Sequence, residues 1–392
     1  MAIELADIMR QFGPLYMERF SGSMLASHKR AIADIQQCRT EAMGGHRYRC
    51  DGCGKQVYVY HACRNRHCPA CHRDQIHKWL EQRTAELLPC EYFHVTVTIP
   101  ETLRPVFRSN QKRMYSLLMK TASESLMQLA DDPKHLGGRV GILAVLHTWT
   151  SNLTYHPHVH MLVTGGGVAD DEQWKSCKHH YLVPVKALSK LIRGKFSARL
   201  RKSDPDLYRQ VDPMTWSKDW VVHSLHYGQG QSVVLQYLAR YVFRIAITNH
   251  RIIGMDQTHV TFRYKDRKGG RWITSRIEGC EFIRRYLQHV LPKGFHKVRY
   301  YGIWHTSNST HVSTLVGPIT IAALMSGRPL PKTENMDQDT TINKLKCPHC
   351  GSDQLILLER LPRPRSRSPS HQRLTSMQQT KKISFTETAR RF

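Results

Sequence analysis

The chain has 392 residues, with 58 Lys and Arg against 31 Asp and Glu, a net charge of +27 and an apolar share of 40%. That length accommodates two or three domains with a real core, and the cationic excess favours a polyanionic partner, nucleic acid first. No run approaches the ~18 apolar residues that span a bilayer, and the N-terminus lacks the basic head and apolar stretch of a secretory signal, so a cytoplasmic, nucleoid-associated protein with reduced cysteines is expected and a membrane partner is not.

In chain order, residues 1–37 read as an amphipathic helical segment. Residues 38–72 are dense in Cys, His, Gly and Arg and weak in apolar periodicity, as in a small metal-held module. Helical spacing returns over 73–89, completing a unit at 38–89. Residues 92–100 (YFHVTVTIP) alternate as a half-buried strand. A helix is expected at 110–129. Strands follow at 141–149 and 158–164, the second closed by Gly165, Gly166 and Gly167. Residues 185–202 read as a basic helix carrying Lys186, Lys190, Arg193, Lys195, Arg199, Arg201 and Lys202, and 231–247 as a further helix. Residues 258–264 read as a strand before a KDRKGG turn, and 281–291 as a helix stopped by Pro292 and Gly294. From Leu361 the composition is that of a disordered basic tail. The expected units are therefore 1–37, 38–89, 90–250, 251–346 and 347–392.

Six of the eleven cysteines fall between Cys38 and Cys71. Cys50-x-x-Cys53 and Cys68-x-x-Cys71 stand fourteen residues apart, and each pair offers two thiolates to one side of a zinc tetrahedron. Cys38, His46, Cys63 and His67 interleave with them. The expectation is two zinc ions in a cross-braced arrangement: Cys50, Cys53, Cys68 and Cys71 on one, Cys38, His46, Cys63 and His67 on the other, with His61 and His72 as spare histidines. Four protein ligands leave no open position, so both sites are structural. Arg47, Arg49, Lys55, Arg64, Arg66 and Arg73 surround them, which favours docking on DNA. Cys347-x-x-Cys350 is a half site whose other ligands are not evident. Cys90, Cys177 and Cys280 read as isolated structural cysteines.

His156, His158 and His160 recur at period two, so on a strand all three side chains leave one face. His156 precedes Pro157 and is expected in the entry loop, which leaves His158 and His160 as metal ligands. If 141–149 pairs antiparallel with 158–164, His147 comes beside His158 as third ligand; His94 is the runner-up. Three ligands leave positions open for substrate oxygen, and the expected ion is magnesium or manganese. Tyr237 and Tyr241 are i, i+4 on the expected helix, with Arg240 and Arg244 alongside. A phenol is a poor nucleophile at neutral pH; a metal ion and arginines at a phosphate would favour the phenolate and stabilise the growing oxygen charge. Attack would store the phosphodiester as phosphotyrosine, so strands are rejoined without a nucleotide cofactor. Arg240, Arg244, Lys190, Arg193 and Arg199 are the expected DNA contacts.

Long strings of this chain resemble the two-tyrosine HUH transposases of rolling-circle insertion sequences, the insertion-sequence-91 family. They are CRTEAMGGHRYRCDGCG, CRNRHCPACH, YFHVTVTIP, LHTWTSNLTYHPHVHMLVTGGG, YLARYVFRIAITNHRI, VTFRYKD and EFIRRYLQHVLPKGFHKVRYYGI, which run almost end to end. The resemblance implies an α+β fold: an antiparallel HUH sheet flanked by helices, behind the zinc module. It puts the HUH pair on His158 and His160, the nucleophiles on Tyr237 and Tyr241, and a 5′-phosphotyrosine linkage on single-stranded DNA of the element ends and their target. Its LHTW string supports His147. The rivals are a replication initiator or relaxase with the same chemistry, and a non-catalytic zinc-finger regulator that would need neither tyrosine. A zinc metallohydrolase would want a pattern such as HExxH, which is absent.

Overall fold

The computed structural model describes residues 3–71, 88–229, 237, 241–242, 244–266, 269–305, 313–317, 319–320 and 345–363. The fold is mixed α+β with antiparallel sheets. Its first elements are α1 (Leu5–Phe20) and α2 (Ala26–Gln36). Leu5, Ile8, Met9 and Phe12 of the one and Ala31, Ile32 and Ile35 of the other are buried at helical spacing. A turn at Ser21–Ser23 splits the stretch that periodicity reads as one segment. β1 (Gly45–Cys50) and β2 (Gln56–Tyr60) pair antiparallel across the turn that holds Cys53.

β3 (Glu91–Thr98) is followed by α3 (Arg104–Ser109) and α4 (Gln111–Asp131), then β4 (Gly141–Trp149) and β5 (Tyr155–Thr164). β6 (Gly166–Val168) and β7 (Trp174–Ser176) form a small hairpin, so the glycines that look like a strand terminator open a new strand. A Cβ on Gly166 would lie 2.4 Å from the Trp174 ring, which is why glycine is needed there. α5 (Val185–Ser203), α6 (Pro205–Arg209) and β8 (Val221–Gln229) follow. The last described elements are β9 (Ile252–Met255), β10 (His259–Lys265), β11 (Trp272–Glu278), α7 (Gly279–Leu287), β12 (Val298–Gly302) and β13 (Leu355–Leu361).

The central sheet has five strands in the order β12-β4-β5-β3-β8, each pair antiparallel. Side chains alternate between its faces. On one face Phe93, Val95, Val97, Ile142, Ala144, Leu146, Val159, Met161 and Val163 pack against Leu118 and Leu126 of α4 and Ile192 and Phe196 of α5. On the other, Tyr92, Leu143, Val145 and Leu162 meet Tyr237 and Val242. Burial on both faces explains why β4 and β5 read as near-continuous apolar runs. A second core joins α1 and α2 to Ile252, Val260, Phe262 and the buried face of α7, and takes in Cys38, Cys68 and Cys71.

Three expectations change. β13 pairs with β1, from Gly45↔Leu361 to Cys50↔Leu355, so residues 347–361 complete the N-terminal module rather than open a separate unit with the tail. β5 begins at Tyr155, which puts His156 inside the strand and not in an entry loop. Ile245 and Ile247 lie outside any helix, so the helix expected to reach 247 stops sooner. The helix expected at 73–89 falls almost wholly outside the described residues, as do most of 231–240, Arg73, His72 and the tail from 364. Among the described residues no helix is long and apolar enough to cross a membrane.

Candidate active site and metal centres

Register places the histidines. His147 on β4 lies opposite His158 on β5, and Val145 lies opposite His160. On the far side of β5, Thr96 of β3 pairs with His160. All three imidazoles leave the sheet face away from α4 and α5. Each offers a ring nitrogen within 4.8 Å of the others, and all are buried.

Their hydrogen bonds fit a cation-binding role. His158 Nδ1–H donates to the His156 carbonyl at 2.7 Å, leaving Nε2 as its lone-pair atom. His160 Nδ1 is engaged by His94 Nε2 at 2.9 Å and the Thr96 hydroxyl at 3.2 Å, so Nε2 is the atom it has for an ion. His147 Nε2–H donates to the Tyr241 carbonyl at 2.7 Å, leaving Nδ1. Burial, followed by the neighbouring histidines, holds His147 and His160 well below the usual imidazole range, so both are neutral, as ligands must be. His94, the alternative ligand, stands behind His160, and burial pulls it down to about 4. His156 accepts from Arg104 Nη2 at 3.0 Å and stays out of the cluster.

Both tyrosines sit over this face. The Tyr241 ring lies 4.2 Å from the His160 ring and 4.7 Å from that of His94, centroid to centroid. Tyr237 is fully buried, 4.8 Å from Tyr241 and 5.5 Å from His94. Its hydroxyl has no hydrogen-bond partner among the described residues. Burial, then Tyr241 and Tyr227, push its pKa well above the usual phenol value.

The basic residues divide. Arg240 is outside the described residues, and Arg244 is exposed beside the site. The Arg244 carbonyl accepts from Lys297 Nζ at 3.3 Å. Lys297, one residue before β12, is drawn down to about 8 by desolvation and the charge of Arg66; nothing in its sequence context singles it out. Lys190, Arg193 and Arg199 are on α5, which packs on the face opposite the histidines. Lys190 is exposed there; Arg193 is held by Asp219 at 3.2 Å and Arg199 by Glu124. Arg104, Arg108, Arg284 and Arg285 instead line a cleft of about 790 Å³ with Thr154 and Tyr155, next to His156.

The cysteines form two clusters in a partition that differs from the expected one. Cys38, Cys63, Cys68 and Cys71 come together, and Cys50 and Cys53 join Cys347 and Cys350. Sulfur separations are 3.4 Å for Cys38–Cys71, 3.5 Å for Cys63–Cys71, 3.5 Å for Cys50–Cys350 and 3.7 Å for Cys53–Cys347. These are too long for disulfides and close to the ~3.8 Å edge of a tetrahedron with Zn–S bonds near 2.3 Å. The two histidines of the expected set are elsewhere. The His46 ring lies edge-on to that of His61 at 5.1 Å, and His67 Nε2 accepts from the Leu291 amide at 3.3 Å. The physical reason is β13: its pairing with β1 brings Cys347 and Cys350 to Cys50 and Cys53, which frees Cys68 and Cys71 for the inner cluster. Around the clusters, Arg47 pairs with Glu359 at 2.9 Å and Arg66 donates to the Pro292 and Phe295 carbonyls, while Arg49, Lys55 and Arg64 are exposed.

Comparison with known proteins gives a consistent set of likenesses. Residues 8–99 match the family model described as "Transposase zinc-binding domain", and residues 141–311 the one described as "Putative transposase". The chain is 36% identical over 378 residues to "Putative transposase y4qJ" of Sinorhizobium fredii, covering 91% of this chain and 95% of that protein. It is 26% identical over 285 residues to "Transposase for insertion sequence element IS801" of Pseudomonas savastanoi pv. phaseolicola, covering 69% and 68%. No solved structure matches.

Proposed function

The chain belongs to the insertion-sequence-91 family of transposases, with DNA as its substrate, and from that premise we propose that it nicks and rejoins single-stranded DNA through phosphotyrosine intermediates. The observation that carries this reading is the Tyr241 ring tilted over His160, 4.2 Å between centroids, beside a cluster of three buried imidazoles.

His147, His158 and His160 would hold a magnesium or manganese ion, which supplies positive charge at the phosphoryl oxygens. The tyrosine oxygen attacks phosphorus and the bond to the 3′ oxygen breaks. The 3′ oxygen takes a proton, and the 5′ phosphate stays on the protein. The reverse attack by a 3′ hydroxyl rejoins strands, so bond energy is conserved and no nucleotide is consumed. His94 and Thr96 orient His160, and Lys297 and Arg244 add positive charge at the rim. The cleft of Arg104, Arg108, Arg284 and Arg285 offers a path for the phosphate backbone, and Arg104 links it to the site through His156. Each four-cysteine cluster holds one structural zinc ion, and together they make an N-terminal module that completes itself with residues 347–361.

The test is incubation with labelled single-stranded oligonucleotides from both ends of the element, with manganese or magnesium, read on a denaturing protein gel. A labelled band that disappears in the Tyr237→Phe/Tyr241→Phe double variant, with DNA affinity retained, is the expected result. A double variant that still captures DNA overturns the nucleophile assignment.

A further inference from the structure

A fourth group of donors lies on the same sheet, away from the tyrosines. Glu91 opens β3, and its carboxylate is almost fully buried. Its Oε2 is 3.3 Å from His180 Nδ1, 3.7 Å from His226 Nε2 and 3.3 Å from Cys177 Sγ. The His180 and His226 rings are 4.3 Å apart, and the three ligand atoms of Glu91, His180 and His226 all fall within 4.8 Å of one another. His226 also packs edge-on to Phe93 at 5.6 Å, which belongs to the core on the α4 and α5 face. The group is therefore across the sheet from His94 and His160 and shares no ligand with them.

The surroundings are built for close approach. A Cβ on Gly165 would lie 2.8 Å from the Glu91 Cβ and carbonyl oxygen, so glycine leaves room for the carboxylate. His179 and His180 both adopt left-handed backbone, with φ of 52° and 53°, a costly conformation for residues other than glycine. That turn brings the His180 ring back to the carboxylate. One buried carboxylate and two imidazoles suit a borderline divalent ion, with a fourth position for water or the Cys177 thiolate.

We propose that Glu91, His180 and His226 form a separate zinc site that clamps the 177–181 loop to β3 and β8. β8 runs directly into the stretch that carries Tyr237 and Tyr241, so the ion fixes the root of the nucleophile segment to the strand that carries His94. Glu91, His180 and His226 are positioning residues in this scheme and touch no substrate.

The experiment is equilibrium dialysis of the full chain against zinc, with bound metal counted by atomic emission. The His180→Ala/His226→Ala variant should hold one zinc equivalent fewer than the unaltered chain, and Glu91→Gln should lose the same equivalent. Both histidines are on the surface, so their replacement leaves the core intact. Independently, trypsin cleavage after the exposed Lys178 should slow several-fold when zinc is added to the unaltered chain, and should ignore zinc in either variant. Equal zinc content in all three proteins, or cleavage at Lys178 that ignores zinc in the unaltered chain, overturns the site.

Discussion

Tyr237 and Tyr241 are four residues apart in sequence, yet they meet different surroundings. Tyr241 is only half-buried and tilted against His160, while Tyr237 is fully buried and its hydroxyl has no partner among the described residues. Within the proposed mechanism, Tyr241 is therefore the tyrosine expected to attack first. The expected outcome is that Tyr241→Phe abolishes the first nick, while Tyr237→Phe retains it and blocks the later joining step; single-turnover cleavage and strand-transfer assays on the two single variants read this directly. A buried hydroxyl without a partner costs stability rather than adding it. Tyr237→Phe should therefore leave the unfolding free energy unchanged or raise it by about 1 kcal/mol or less, measured by denaturant titration. A loss of several kcal/mol would mean the hydroxyl is bonded after all. His289 gives a pH prediction. It is buried between the Thr148 hydroxyl and the Leu153 carbonyl, and burial lowers it to about 4. The unfolded chain binds the proton below about 6.5, while the folded chain resists it down to about 4. Its contribution is fully present above 6.5 and is lost as pH falls through that window. His289→Gln should have a shallower decline in stability between pH 6.5 and 4 than the unaltered chain; parallel curves would show that His289 does not titrate with folding.

At the scale of elements, the two cysteine clusters occupy unlike places. The inner one is built into the core shared by α1, α2 and α7, with Cys38, Cys68 and Cys71 buried. The outer one is at the edge of the β13-β1-β2 sheet, with Cys53 and Cys350 exposed. Cys68→Ser is expected to lower the cooperative unfolding temperature of the whole protein. Cys350→Ser should release one zinc and loosen β13 while the main transition stays put; metal content and calorimetry together separate these outcomes. How far such elements were legible in sequence depended on the range of the contact. His147, His158 and His160 could be grouped because a period-two pattern and one antiparallel reversal fix their register. Cys50 and Cys350 are 300 residues apart, and no spacing rule links them, so the local arithmetic of cysteine pairs drew in His46 and His67 instead. The basic run on α5 is ambiguous for a related reason: a row of arginines looks the same in sequence whether it faces phosphate or, as with Arg193 and Arg199, pairs with an aspartate and a glutamate of its own chain.

Over the whole molecule, the net charge of +27 attracts a polyanion such as DNA, and the fold decides where that attraction can act. The arginine cleft beside His156 and the opposite face of α5 predict different losses. Arg108→Ala should weaken single-stranded DNA binding and reduce the slope of log affinity against log salt by about 1. Lys190→Ala should change neither, as read by fluorescence anisotropy across a salt series. The reverse pattern would move the DNA path to α5.

The long-range pairing of β13 with β1 also orders events on the ribosome. Cys38 to Cys71 are made early, so the inner knot has all its sulfurs before the central sheet exists. The outer knot waits for Cys347 and Cys350, by which point β3, β4, β5, β8 and β12 have all been synthesised. A chain cut short anywhere between 72 and 346 would carry the inner knot and half of the outer one, with β1 lacking a partner on one edge. The outer cluster can therefore close only on a chain that already contains the whole central sheet.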